Sequence, residues 1–300
     1  MHFLVLLQLL LIANIYQAGV SFANGNDKFV HENVRWSQLK YEASAFFVTA
    51  QTTIKLSSAN KSEALQKIVK FTAEDLLVPQ GDRLFNVDIF TDEFGRQTNY
   101  QVWFEESGQA LQRKRITRGN RNQIKLTRYA KCGIYKLSKK FSNDKFDSDY
   151  GGWSKVKKKY KPYPEATCDG STVVDSNALL YMVSALDLKD IGDQYELLLG
   201  SKKKPVKVKL VVKTKKKIKA DYKISNASGK DLVNQSVEVL QVQLMAVADN
   251  ENEKEDIELL GLHGKIYLYV DASNHLILRI SGDTKYVKNL DVNLKYADMQ

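Results

Sequence analysis

The side chains best suited to chemistry are scarce in this 300-residue chain. There are four histidines. His2 lies in an apolar leader, His31 in a polar stretch, His263 beside a glycine turn and His275 at the start of an apolar run. None has the spacing of a metal site or a hydrolase. No Gly-x-Ser-x-Gly elbow, phosphate-binding loop or dinucleotide fingerprint is present. The acidic run Asp249 to Glu258 lacks the ordered oxygen ligands and central glycine of a calcium loop. No residue is therefore assigned to catalysis, and no cofactor or metal is expected. An enzyme is the last reading, and a binding protein the first.

The cations carry more information. Between Ala110 and Ala220 there are 28 Lys and Arg against 10 Asp and Glu, a net of +18 in a chain whose total is +10. The remainder is therefore acidic by 8 charges. Such asymmetry points to a polyanion or an anionic surface as partner. Two segments stand out. Lys155, Lys157, Lys158, Lys159 and Lys161 interleave with Trp153, Tyr160 and Tyr163, so rings could stack while ammonium groups meet phosphates. From Lys202 to Lys219 there are ten lysines and no acid. There Val206, Val208, Leu210, Val212, Ile218 and Ala220 alternate with Lys207, Lys209, Lys213, Lys215, Lys217 and Lys219, giving a strand with one packed face and one lysine face. Lys207, Lys209, Lys213, Trp153, Tyr160 and Tyr163 are the candidate ligand-binding residues. The competing reading is a charged edge that keeps a strand soluble.

Location narrows the partner. Phe3 to Ala13 is almost wholly apolar, and small residues at Ser21 and Ala23 precede a cut after Ala23. This reads as a secretory signal peptide over residues 1–23, leaving a single β-rich domain over 24–300 that is periplasmic or secreted. No later stretch is apolar and long enough to span a bilayer as a helix. Nucleic acid is not an expected partner outside the cytoplasm. A lipid or another anionic envelope component is. The two cysteines, Cys132 and Cys168, suit a disulfide in an exported chain, and two separate buried thiols are the alternative.

Period-two segments bounded by Gly, Asn, Asp and Ser run through most of the chain, the pattern of an antiparallel sheet. Tyr41 to Leu56 reads as one long strand or a bent pair, and Asn60 to Lys70 as a short helix. Leu84 to Phe90 and Thr98 to Glu105 flank a turn, and Ala110 to Arg115 and Gln123 to Tyr129 continue the meander. Ser138 to Asp169 reads as a long irregular loop, basic around 143–163. A helix over Ala178 to Leu186 is capped by Asp175 or Ser176, its Leu179, Met182, Val183 and Leu186 stripe facing a core. Gln194 to Leu199 and Val206 to Lys219 form a hairpin, although Lys215 to Lys217 could be a turn that splits the second strand. Val237 to Ala248, Lys265 to Val270, His275 to Ile280 and Thr284 to Lys295 close the series.

This order of signatures resembles a bacterial envelope family catalogued only as domain of unknown function 3108. The resemblance rests on Arg35-Trp36-Ser37-Gln38-Leu39-Lys40-Tyr41-Glu42, on the Asp175-led helix followed by Asp187-Leu188 and Ile191 to Leu197, on Tyr267 to Ile280, and on Leu290 to Tyr296. The chain departs from it in the lysine-rich insertion around Asn143 to Tyr163 and in lacking a proline in the closing hairpin. The family is similar in outline to the LolA, LolB and VioE fold. That likeness implies a mostly β protein, with a curved antiparallel sheet open like a half-barrel and one or two short helices. It also implies an apolar ligand, so the first expectation is a non-enzymatic protein holding a lipid or other amphiphile in the concave sheet. The alternative is an interaction or assembly protein for an acidic envelope polymer or protein, working through its basic surface segments.

Overall fold

The computed structural model describes residues 29–45, 48–70, 73, 75–93, 95–119, 122–141, 156–165, 168, 170–200, 204–247 and 257–300. The leader 1–23, Trp153 and most of the acidic run 249–258 lie outside the described residues.

Fifteen strands are present among them: β1 (Trp36–Ala45), β2 (Val48–Asn60), β3 (Arg83–Glu93), β4 (Arg96–Glu105), β5 (Ala110–Arg118), β6 (Asn122–Ala130), β7 (Gly133–Phe141), β8 (Lys157–Pro162), β9 (Val173–Asp175), β10 (Gln194–Gly200), β11 (Val206–Asn226), β12 (Gly229–Val247), β13 (His263–Asp271), β14 (Ile277–Asp283) and β15 (Leu290–Met299). The two α-helices are α1 (Lys61–Lys67) and α2 (Leu179–Ala185), the latter entered through a 3-10 turn at Ser176–Ala178. No described helix is long and apolar enough to cross a membrane.

All strands join one sheet, in the order β8-β7-β6-β5-β4-β3-β2-β1-β15-β14-β13-β12-β11-β10-β9. The first and last strands of the chain are thus neighbours in its middle. The expected mostly β architecture is present, and the sheet is not a closed barrel. It is antiparallel apart from β9 on β10 and the end of β11 on β15. The β11–β15 pairing, through Lys223 to Ser225, curls the second half of the sheet around its own core. One cross-strand row there reads Val212, Val242, Leu268, Ile280, Val292 and Ala43. Its members all belong to the main apolar cluster or pack on it, as alternation requires of one sheet face.

That inner face closes over α2, all seven residues of which are buried. A helix of this length has no stability of its own in water. Tertiary contacts hold it. Tyr181 meets the rings of Phe85 and Phe104 at centroid distances of 5.0 and 5.1 Å. Trp36 donates its indole N–H to Ser184 (3.4 Å), His31 and Tyr181 share a 2.6 Å hydrogen bond, and Val30 donates its amide to the Ala185 carbonyl (2.7 Å). On the outer face, α1 is capped by Asn60, whose side chain accepts from the Glu63 amide at 2.9 Å. It covers Leu84, Trp103 and Leu111.

Two local expectations are corrected. Ser138 to Asp169 is not one irregular loop, because β7 continues to Phe141 and Lys157–Pro162 forms the edge strand β8 against β7. The basic region around 143–163 is therefore partly sheet, with 143–155 outside the described residues. Lys215 to Lys217 is not a turn either. The strand runs through it, and Lys213 forms a bulge between the Val212 and Thr214 pairings.

Replacing Leu179, fully buried on α2, with alanine should cost about 2–5 kcal/mol by the usual penalty for a core truncation. Tyr286→Ala, at a residue 81% exposed, should stay within about 0.5 kcal/mol. Urea unfolding of the two variants checks both.

Candidate functional site

The register of β5 to β8 assembles a site that linear reading divides among four segments. Arg113 pairs with Thr127, Thr127 with Lys136, and Lys136 with Lys159. The next row is Arg115, Lys125, Ser138 and Lys157. Lys161 opposite Ile134, and Lys140 opposite Gln123, extend the same face. Eight cations thus project from one side of four adjacent strands, and alternation places no carboxylate of these strands among them. It is the inner side, since Arg113 lies across from Val102 of the main core.

Among the described residues, the carboxylate of Asp175 reaches this face from another strand. Asp175, fully buried at the end of β9, lies 3.3 Å from the Arg113 guanidinium. It also accepts hydrogen bonds from the Tyr129 hydroxyl (2.5 Å), the Asn177 amide (2.9 Å) and the Asn177 side chain (2.8 Å). Burial pulls the Arg113 pKa down, but Asp175 and the two nearby tyrosine hydroxyls outweigh it and leave the guanidinium more firmly protonated. Burial and then Asp175 push the Tyr129 hydroxyl well up. Around them Ala110, Tyr129, Ile134, Tyr163 and Val173 form a small apolar cluster that Leu198 packs against. This is where the β9 end of the sheet folds onto β5 and β6.

Arg115 stacks over the Tyr100 ring at 5.4 Å, and its buried Nε has no hydrogen-bond partner among the described residues. Lys136 is half-buried, and its pKa falls to about 8 through desolvation and then the charges of Lys161, Arg113, Lys125 and Lys159. Lys157 and Lys159 are exposed.

The expected site residues are divided by the same geometry. Lys157, Lys159 and Lys161 face inward, whereas Lys158 and Tyr160 face outward, where Tyr160 packs on Tyr135 at 4.7 Å between ring centroids. Tyr163 is buried in the small cluster, not displayed for stacking on a ligand, and burial raises its hydroxyl pKa. Lys207 pairs with Leu198, whose β9 partner is Val173, so it flanks that cluster from the other side. Lys209 sits opposite Glu196. Beyond the Lys213 bulge, Lys215 reaches Asp190 at 2.9 Å and Lys217 lies across from Glu238. The β11 row extends over about 40 Å at ordinary strand rise, with acids beside it, and does not converge.

Arg113, Arg115, Lys125 and Lys136 are functional candidates that sequence reasoning missed. Their alternation within each strand was visible, but the register that aligns the strands was not.

The expected disulfide is corrected too. Cys132 and Cys168 are not at disulfide distance. Cys132 lies in the tight β6–β7 turn, and extending the Gly133–Pro162 register places Tyr163, not Cys168, across from it. Its carbonyl accepts from the Tyr163 amide (2.9 Å) and the Tyr160 hydroxyl (3.0 Å). A Cβ on Gly133 would come within 2.6 Å of the Lys161 carbonyl, so glycine is what lets β8 approach the turn. Backbone pairing, in place of sulfur, closes the base of the 142–156 excursion.

No family model matches the chain, and neither a curated protein nor a solved structure does. The fold and the site define a β-rich protein with a basic inner face, and its function has to be argued from that face.

Two outcomes follow. Asp175→Asn should destabilise the fold by about 3 kcal/mol, because it removes a fully buried carboxylate and leaves the half-buried Arg113 without its counter-charge. Pairing it with Arg113→Met should recover part of that loss in urea unfolding. Lys136 binds its proton more weakly folded, at about 8, than its ordinary 10.5. The penalty is full below pH 8 and is relieved as pH rises from about 8 to 10.5. Lys136→Gln should therefore melt at a higher temperature than the parent at pH 7, with the gap closing toward pH 10.5.

Proposed function

We propose that this protein is a non-enzymatic binding protein of the cell envelope or its exterior that engages an anionic envelope component through its basic inner face. One observation carries the reading. Eight cations share one face of β5 to β8 with no carboxylate from those strands. Burial first, and then the neighbouring cations, weaken the proton affinity of Lys136, and both cost stability. An anionic partner would relieve that cost. The apolar leader and the absence of catalytic spacing in the sequence support an exported binder.

An amphiphile carrier is the second reading, favoured by the curvature of the sheet around one apolar inner face. There α2 occupies the centre, so an acyl chain would have to displace it. A cleft of about 490 Å³ elsewhere, beside β1 and β15, is lined by Glu42, Asp291, Asn293 and Lys295 and suits polar groups better than an acyl chain.

Co-sedimentation of the chain from residue 24 with fragments of its own envelope tests the main reading. Retention should fall steeply as salt rises, because exposed charge interactions are screened within about 8 Å at physiological ionic strength. Retention that ignores salt, or none at low salt, would count against it. A co-purifying acyl lipid in the native mass spectrum would favour the second reading.

A further inference from the structure

We infer that His31 and His275 form an acid-sensitive lock on α2: while both rings are neutral, residues 29–33 stay strapped across the helix, and protonation of the rings releases the strap.

Backbone and ring contacts hold the strap together. Phe29 forms an antiparallel bridge with Leu186, and the Val30 amide donates to the Ala185 carbonyl at 2.7 Å. The half-buried ring of His31 stacks on Phe85 and Tyr181, with centroids 5.2 and 5.9 Å away. Its Nδ1 lies 2.6 Å from the Tyr181 hydroxyl, and the backbone of Glu106 also hydrogen-bonds the ring. A neutral ring with its proton on Nε2 satisfies both neighbours, because Nδ1 accepts from the hydroxyl while Nε2–H donates to the carbonyl. A second proton makes Nδ1 a donor that faces a donor. The hydroxyl would then have to reverse in a residue only 1% exposed, with no other hydrogen-bond partner among the described residues. Burial, the largest influence, holds the His31 pKa below 6.5. Glu106 and Glu32 pull it up, and Arg83 pulls it down.

His275 meets the end of the same helix from the turn between β13 and β14, where its backbone is left-handed at φ 58°. Its ring hydrogen-bonds the backbone of Leu186, the residue that caps α2 and that Phe29 also pairs with. Its Nδ1 is buried and has no partner among the described residues. A bare lone pair there costs less than a charged ring with an N–H that lacks an acceptor. Burial again dominates and lowers the pKa, while Asp187 and Asp271 favour the charged ring and Arg35 opposes it. Two rings from distant parts of the chain thus meet one short helix, and each matches its surroundings only when uncharged.

The sign follows from the weaker proton binding of both rings in the folded state. The lock is whole above about pH 6.5, and the penalty grows as pH falls below 6.5 toward the folded values. A helix this short depends on its surroundings, so loss of the strap loosens α2 and opens the cluster of Phe85, Phe104 and Tyr181 to water.

Hydrogen exchange of the chain from residue 24, read by mass spectrometry and corrected for the intrinsic pH dependence, tests this. Protection of peptides covering 29–34 and 179–186 should fall about tenfold from pH 7.5 to pH 5, the effect of roughly one pKa unit. The β11–β12 hairpin should change by less than about twofold. His31→Phe keeps a stacked ring without a titrating nitrogen, and His275→Asn suits the left-handed backbone. Together they should make the protection of both peptides flat over this range. His31→Gln, which retains an acceptor for Tyr181, should give the same flat response where His31→Phe fails to fold. In the parent, the imidazole resonances followed by NMR should titrate with midpoints below 6.5 for both rings.

Strap protection that is unchanged down to pH 5, or that falls equally in the double variant, overturns the lock. So does a midpoint at or above 6.5 for His31. If the β11–β12 hairpin loses protection in step with the strap, acid unfolds the whole chain and the lock is again overturned.

Discussion

The carboxylate of Asp175 joins strands that stand near opposite ends of one sheet. It ends β9 at one limit of the sheet and reaches Arg113 and Tyr129 on β5 and β6 near the other. Through Asn177 it also shapes the turn that leads into α2. An open curved sheet has two edges to manage, and here one folds onto the inner face beside the other. The carboxylate makes that return possible in a region otherwise filled with positive charge. Without it, the guanidinium of Arg113 and the apolar ring of Tyr129 would have incompatible demands on the same buried volume. The main core, the small cluster around Tyr163 and the basic rows all take their relative positions from this junction.

The inner face consequently has two chemical zones. Toward β1 to β4 and β10 to β15 it is apolar and occupied by α2. Toward β5 to β8 it becomes polar and cationic within the span of one strand, between Val102 and Arg113. A half-barrel with a wholly apolar lining would suit hydrocarbon, whereas this one puts its own helix where the hydrocarbon would go. Its cations gather at the far end. Burial and neighbouring charge there weigh against stability, as the lowered pKa of Lys136 records.

Much of the fold was legible because a sheet with one buried face writes its alternation into the chain. Val206, Val208, Leu210 and Val212 and the lysines between them point to opposite faces as alternation demands, but the Lys213 bulge shifts the register by one residue, so Ile218 and Ala220 pair with the other parity of β12. Asn60 and Asp175 marked helix starts through side chains that accept nearby amides. The basic site was not legible in the same way. Arg113, Lys125, Lys136 and Lys159 belong to four strands, and only the turn lengths and bulges between those strands decide which side chains align. Charge runs drew attention to Lys157-Lys158-Lys159, yet a run along a strand divides between faces, so its middle residue faces away from the site. The cysteines misled for a related reason. Their types suited an exported protein, but proximity depends on a register that places Tyr163 where the second sulfur was expected.

The adjacency of β1 and β15 has a temporal consequence. Trp36 pairs with Met299, so the centre of the sheet joins residues more than 260 positions apart. Hairpins from β1 to β8 can form early, since their partners are local. The enclosure of α2 cannot be completed until the last strand is available, and closing so long a loop makes this a late step in folding. A chain still being synthesised therefore has no finished core to bury its helix in. The ten residues of β15 thus set when the sheet around α2 can be completed.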